Sequence, residues 1–324
     1  MNNTQIYKKT IGFSLRRFLW DLLALAIFVA FSAAGFFVAN DSSDKALIGL
    51  AIGAVIGAIC SWLILHFVAY TYKAGQIAMM TEGVTTGKLP EDTIASGKKI
   101  VKERFATVAA YYAVTGVIKG IFSQIGQAIT AVGRAVGGDS GGAVGGTISS
   151  IIQTIVAYLC DCCLGWVFYR KDEKATRATL EGAVIFFKHG KTLAKNLGRV
   201  FGIGLLSFVV IVGIFGGILF LILNAFPDAM TTFGSEIAEV FARAGETAPE
   251  FVTNVTVLSL ICGGIFGCIM WGILHSVFVR PFILVGVLRN YLKSGIEEKI
   301  TESDFDSLDG KSAKFKKLHS ELNA

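Results

Sequence analysis

The feature that most constrains this chain is a series of apolar runs, each long enough to cross a lipid bilayer. A hydrocarbon core of about 30 Å needs about 20 helical residues. Six such runs are read, at 18–38, 46–70, 106–132, 147–168, 200–226 and 252–279. Lipid offers no water to the backbone, so only helices or closed barrels satisfy its polar groups there. The runs lack the two-residue alternation of barrel strands. They predict an all-α, polytopic helical membrane protein with six transmembrane helices. Charged residues make up 17% of the chain, against about a quarter in soluble domains. A secreted disulfide scaffold, a disordered chain and a nucleic-acid binder are excluded on the same grounds.

Charge sorts the two sides of the membrane. Of 30 Lys and Arg, all but Lys45, Lys119, Arg134 and Arg243 lie in the N-terminus, the second and fourth connections and the C-terminal tail. Basic loops stay on the cytoplasmic side. Both termini are therefore expected there, and the net charge of +6 is a matter of topology. The same face should attract anionic lipid headgroups.

The runs group into three tandem helix pairs, each entered through a short basic amphipathic stretch at 8–17, 97–104 or 190–199. Mitochondrial carriers share that plan, but Pro90, Pro227, Pro249 and Pro281 do not form their Pro-x-Asp/Glu-x-x-Lys/Arg signature. The connections at 71–105 and 169–199 read as interfacial amphipathic helices, with Phe186 and Phe187 at the headgroups. Pro90-Glu91-Asp92 marks a helix start. In the last outer loop Ile237, Val240 and Phe241 share one helical face, which predicts a short surface helix. Residues 1–294 are read as the membrane domain and 295–324 as a short cytoplasmic tail.

Several motifs invite chemistry and do not sustain it. Gly138-Asp139-Ser140-Gly141-Gly142 matches the surroundings of a serine-protease nucleophile, but no histidine has the matching context and no strands accompany it. It reads as an outer turn. Cys160, Cys162 and Cys163 project about 100° apart per helical step, so they do not converge on a metal. No Walker A loop is present. No enzyme, cofactor or metal site is expected.

Glycines recur every four residues at Gly49, Gly53 and Gly57, at Gly116 and Gly120, at Gly213 and Gly217, and at Gly263 and Gly267. Such faces let backbones approach closely, within one bundle or between subunits of a homo-oligomer.

Ionisable groups inside the membrane are the strongest functional pointers. Lys119, Ser123 and Gln127 lie on one helical face, with Gln124 beside them. Asp161 lies about 13 Å into the fourth run, which also holds Tyr158. A Lys119–Asp161 interaction would place a polar cavity between the third and fourth spans, or would be a structural ion pair. Asp21, His66 and His275 are weaker candidates for proton coupling. The reading is of a plasma-membrane protein that moves a small solute or ion through that cavity without its own ATPase. The alternative is a scaffold or accessory subunit that oligomerises or docks a membrane-protein partner.

Overall fold

The computed structural model describes residues 1–39, 43–137, 142–194, 197–243 and 245–323; side chains at 43–44, 46–47, 125–137, 142–152, 155, 190–194, 197–199, 201 and 323 lie outside the description. The described chain is helical, with no strand. In order the helices are α1 (Asn3–Val38), α2 (Ser43–Ile64), α3 (Tyr70–Thr86), α4 (Thr93–Arg104), α5 (Val108–Gly137), α6 (Gly142–Tyr169) and α7 (Ala175–Ala194). Then follow α8 (Leu197–Asn224), α9 (Pro227–Arg243), α10 (Glu250–Thr253), α11 (Val255–Leu274), α12 (Arg280–Glu297), α13 (Glu302–Asp309) and α14 (Ala313–Asn323). Short π-helical turns, Leu65–Ala69 and His275–Val279, join α2 to α3 and α11 to α12.

Local signals set the helix ends. Asn2 and Gln5 form a capping box at the start of α1. Asp92 accepts from the amides of Ile94 and Ala95 and caps α4, where Pro90-Glu91-Asp92 predicts a start. Gly87, at φ 71°, ends α3 in a conformation that costs glycine little.

Four helical stretches are long and apolar enough to cross a membrane: Asn3–Val38, Ile48–Thr86, Gly202–Asn224 and Val255–Glu297. A fifth is added only if Thr93–Arg104 and Val108–Gln124, which meet at 80°, count as one broken span. The six expected spans are thus found as four to five among the described residues. The difference lies in the third and fourth. Their described parts place Ile118, Ile121, Phe122, Tyr158, Leu159 and Cys162 in a protein core rather than against lipid.

The chain divides into two compact units, Met1–Leu197 with Pro281–Ala324, and Gly198–Arg280. In the first, α1 and α2 pair backbone to backbone. A methyl on Gly49 would run into the Gly35 carbonyl, and one on Gly53 into the Phe31 carbonyl. The rest of this unit is a helical head. Met79 and Met80 of α3, Cys162, Cys163 and Val167 of α6, Leu180 and Ile185 of α7, and Leu288 and Tyr291 of α12 are all buried in it. Each fully buried side chain of this kind contributes about 1.5–3 kcal/mol. The connections expected as interfacial amphipathic helices form α3, α4 and α7, whose buried faces belong to this head. Phe186 packs on Phe122 at 5.3 Å, and Phe187 carries the Lys311 ammonium at 3.6 Å.

In the second unit α8 and α11 pair through Gly216, Gly263 and Gly267. A methyl on Gly263 would lie 2.6 Å from the Gly216 carbonyl oxygen. Gly116, Gly213 and Gly217 have nothing within 4 Å of an added methyl, so the glycine of α8 that packs is Gly216. The outer-loop helix forms as α9. It buries Met230 and Gly234, and Val240 is exposed.

Replacing Gly53 with Val is expected to lower stability by about 1–3 kcal/mol, because α1 must move away. Gly213→Val should stay within about 0.5 kcal/mol of wild type. Thermal unfolding of the detergent-solubilised protein checks both.

Candidate functional site

One polar cluster of the first unit lies on α3, in the C-terminal half of the long helix Ile48–Thr86. Because α3 continues α2, it carries Lys73 alongside α6. The Lys73 ammonium lies 2.8 Å from the Asp161 carboxylate, with the Asp161 side chain 5% exposed and the Lys73 side chain 34%. Asp161 thus has its ion-pair partner on α3, not at Lys119. Ile118, Ile121 and Phe122 take the inward face of α5, which leaves Lys119 exposed. Tyr111 of α5 and Tyr158, one turn before Asp161 on α6, are also buried. One turn further along α3, Gln76 donates to Ser14 Oγ at 2.9 Å and to the Thr10 carbonyl at 3.3 Å, tying α3 to α1.

The other expected residues have separate places. Gln124 Oε1 accepts from Ser312 Oγ at 2.6 Å and from the Lys314 amide at 3.3 Å, so it anchors the start of α14. Ser123 is half-buried beside it, and the Gln127 side chain lies outside the described residues, as do Gly138–Gly141. Asp21 faces Arg17 one turn back at 3.9 Å. The six cysteines are free thiols, and Cys162 and Cys163 fill the head core.

His66 is sandwiched between aromatic rings. Its centroid lies 4.7 Å from that of Trp62 and 3.7 Å from that of Tyr112, with interplanar angles of 24° and 7°. Tyr112 also donates its hydroxyl to the His66 carbonyl at 2.7 Å. In the second unit His275 lies 5.0 Å from Trp271, whose indole N–H donates to Ser207 Oγ at 3.3 Å. The two histidines occupy the same place in a repeated string. Trp62-x-Ile64-Leu65-His66-x-Val68 returns as Trp271-x-Ile273-Leu274-His275-x-Val277. The chain holds only four Trp and four His, so a shared Trp-x-x-x-His within this match is informative. This repeat and Lys73 are what motif reading missed. The string itself was the available signal for the first, and Lys73 was hidden in a connection read as peripheral.

A second polar cluster lies in the head. The buried Glu181 carboxylate accepts from the Trp166 indole at 3.0 Å and from the Arg170 guanidinium at 3.0 Å. Burial pushes its pKa up, against the pull of Trp166 and Arg170. It borders a cavity of about 570 Å³ shared with Tyr169, Asp172, Glu173 and Glu298. At its rim Lys188 bonds both Glu298 and Asp304 at 2.9 Å, and His189 bonds Glu298 at 2.9 Å. This clamp ties α7 to the tail. Among the described residues, Asp306, Asp309 and His319 bring metal-ligating atoms within 4.8 Å of one another. Internal bonds already occupy His319, whose Nδ1 lies 3.1 Å from Asp309.

Compared with family models, with curated proteins and with solved structures, the chain has no match.

Removing one partner of the Lys73–Asp161 pair strands the other. Asp161→Asn is expected to cost about 1–3 kcal/mol, less than for a fully buried pair because Lys73 reaches water. Adding Lys73→Met should recover much of the loss, and chemical denaturation in detergent measures that coupling. The clamp carries a pH signature. Hydrogen bonds from Lys188, joined at Glu298 by one from His189, hold Glu298 and Asp304 below their ordinary values. A depressed carboxylate adds stability above its unfolded pKa and loses it as pH falls through its folded one. The tail should therefore stay docked above about pH 5 and loosen below about pH 4. Limited pepsin digestion across that range should show the tail released first, and Glu298→Gln should weaken the pH dependence.

Proposed function

We propose that this chain is a six-span plasma-membrane protein of three tandem helix pairs that moves a small solute or ion, driven by gradients and without enzymatic chemistry of its own. The observation that carries the reading is the ion pair of the buried Asp161 with the half-exposed Lys73, close in the chain to the π-helical turn at His66. Charged groups persist next to apolar spans where a path or relay uses them, and π turns in such helices accompany functional sites.

Other features support the arrangement. The spacing Ile-x3-Ile-x8-Leu-x2-Val occurs at Ile52, Ile56, Leu65 and Val68, again at Ile151, Ile155, Leu164 and Val167, and again at Ile261, Ile265, Leu274 and Val277. These are the second helices of the three pairs. Arg289 donates to the Asn3 side chain at 2.6 Å and to the Met1 carbonyl at 2.8 Å, which supports both chain ends lying on one side. The distribution of basic residues makes that side cytoplasmic, where anionic headgroups would meet it.

The scaffold reading retains one observation, the face of α8 at Gly213 and Gly217, where among the described residues of its own unit nothing lies within 4 Å of an added methyl. The glycine faces of α2 and α11 are already occupied within the chain, so they are not free for a partner.

Reconstitution into liposomes tests the choice. Flux of protons, alkali cations, chloride and small zwitterions is followed for wild type, Asp161→Asn and Lys73→Met. Transport predicts flux above protein-free liposomes for at least one probe, cut about ten-fold or more by Asp161→Asn. Equal flux in wild type and both variants overturns the assigned path. A lack of flux across the panel, with a partner co-purifying from native membrane, overturns transport in favour of the scaffold.

A further inference from the structure

Among the described residues two segments are π-helical, Leu65–Ala69 and His275–Val279. A π turn holds one residue more than the α turn it replaces and disturbs the ladder of backbone hydrogen bonds. Both lie inside long apolar helices, Ile48–Thr86 and Val255–Glu297. Both fall on the repeated string, so the same sequence element meets the same backbone defect twice. In each, a histidine follows a tryptophan by one turn and lies against its ring, at 4.7 and 5.0 Å.

The two defects are stabilised by different means. In the first, the His66 carbonyl takes the Tyr112 hydroxyl from α5. In the second, the His275 carbonyl takes the Arg280 amide five residues on, and Pro281 follows at once. Proline has no N–H and its ring presses on the carbonyl four residues earlier, so an uninterrupted α-helix through Val277 is disfavoured. The boundary between the two compact units also falls here, at Arg280 and Pro281.

We propose that these turns are a matched pair of hinges, one made by each copy of the string, each joining a lipid-embedded helix to the head helix that continues it. A π turn moves along a helix by exchanging one five-residue hydrogen bond for one four-residue bond. The residues it passes rotate by about 100°, one helical step, with no net loss of bonds. His66 and His275 are the side chains placed to turn, out of their ring contacts with Trp62 and Trp271. The hinge is a property of the helices themselves. Its role as a gate rests on the transport reading.

Because a π turn is a one-residue insertion, deleting one residue within it restores a continuous α-helix with both flanks in register. Deleting an α-helical residue rotates one flank out of its packing. Variants lacking Phe67, lacking Ser276 or lacking both are compared with one lacking Ile77, a buried residue of α3. The hinge variants should unfold within a few degrees of wild type, and amide exchange around 66–72 and 275–281 should slow about ten-fold. The Ile77 deletion should unfold far earlier. If the hinge deletions are as damaging as that of Ile77, or if exchange at the turns is unchanged, the hinges are overturned. In liposomes the double deletion should reduce flux about ten-fold. Full flux with slowed exchange overturns the gating role alone. Wild type without flux bears on the transport reading and leaves the exchange result to decide the hinge.

Discussion

Two helices too long for the bilayer govern the architecture. Ile48–Thr86 has 39 residues and Val255–Glu297 has 43, or about 58 and 65 Å at 1.5 Å per residue. The hydrocarbon core takes about 30 Å. The remainder must leave the membrane as a helix that keeps the phase of its span, shifted only by a π turn. The head is therefore built on the register of the spans. Lys73 meets Asp161 because α3 inherits its azimuth from α2.

Cohesion changes kind along each of these helices. Between spans lipid is as apolar as the side chains, so hydrophobicity gives no preference for helix over lipid, and close backbone contact takes its place. That is the work of Gly49 and Gly53 against α1, and of Gly263 and Gly267 against α8. In the head, burial from water supplies the driving force, and large side chains such as Phe122, Phe168 and Tyr291 do the packing. At the transition sit polar pairs suited to neither regime alone. Gln76 with Ser14 and Lys73 with Asp161 fasten α3 before the core begins.

Sequence patterning carried the class of protein and its helical make-up, because apolar length is a direct consequence of bilayer thickness. It also identified the close-packing glycines of α2 and α11, since a four-residue spacing is enough to define a helix face. It did not reveal which faces were empty, as at Gly213 and Gly217, because that depends on the neighbour. Asp161 stood out as a charge in an apolar run. Its partner did not, since Lys73 lies in a basic connection where a lysine needs no explanation. Gln124 was legible as polar and out of place, yet its role is to anchor the tail, a contact across 188 residues that no local pattern encodes. The head was invisible for the same reason: amphipathic helices look alike whether their apolar faces meet lipid or one another.

The bonds of Arg289 to Met1 and Asn3 have a consequence for biosynthesis. Met1 is held by a residue that emerges from the ribosome 288 positions later. At about 5–20 residues per second α1 waits roughly 15–60 s for that partner. The helices are made in chain order, but the head closes only once α12 has been made. A chain truncated before Arg289 would leave its early helices with their N-terminal ends unfastened, a state that a quality-control protease could recognise by those loose ends.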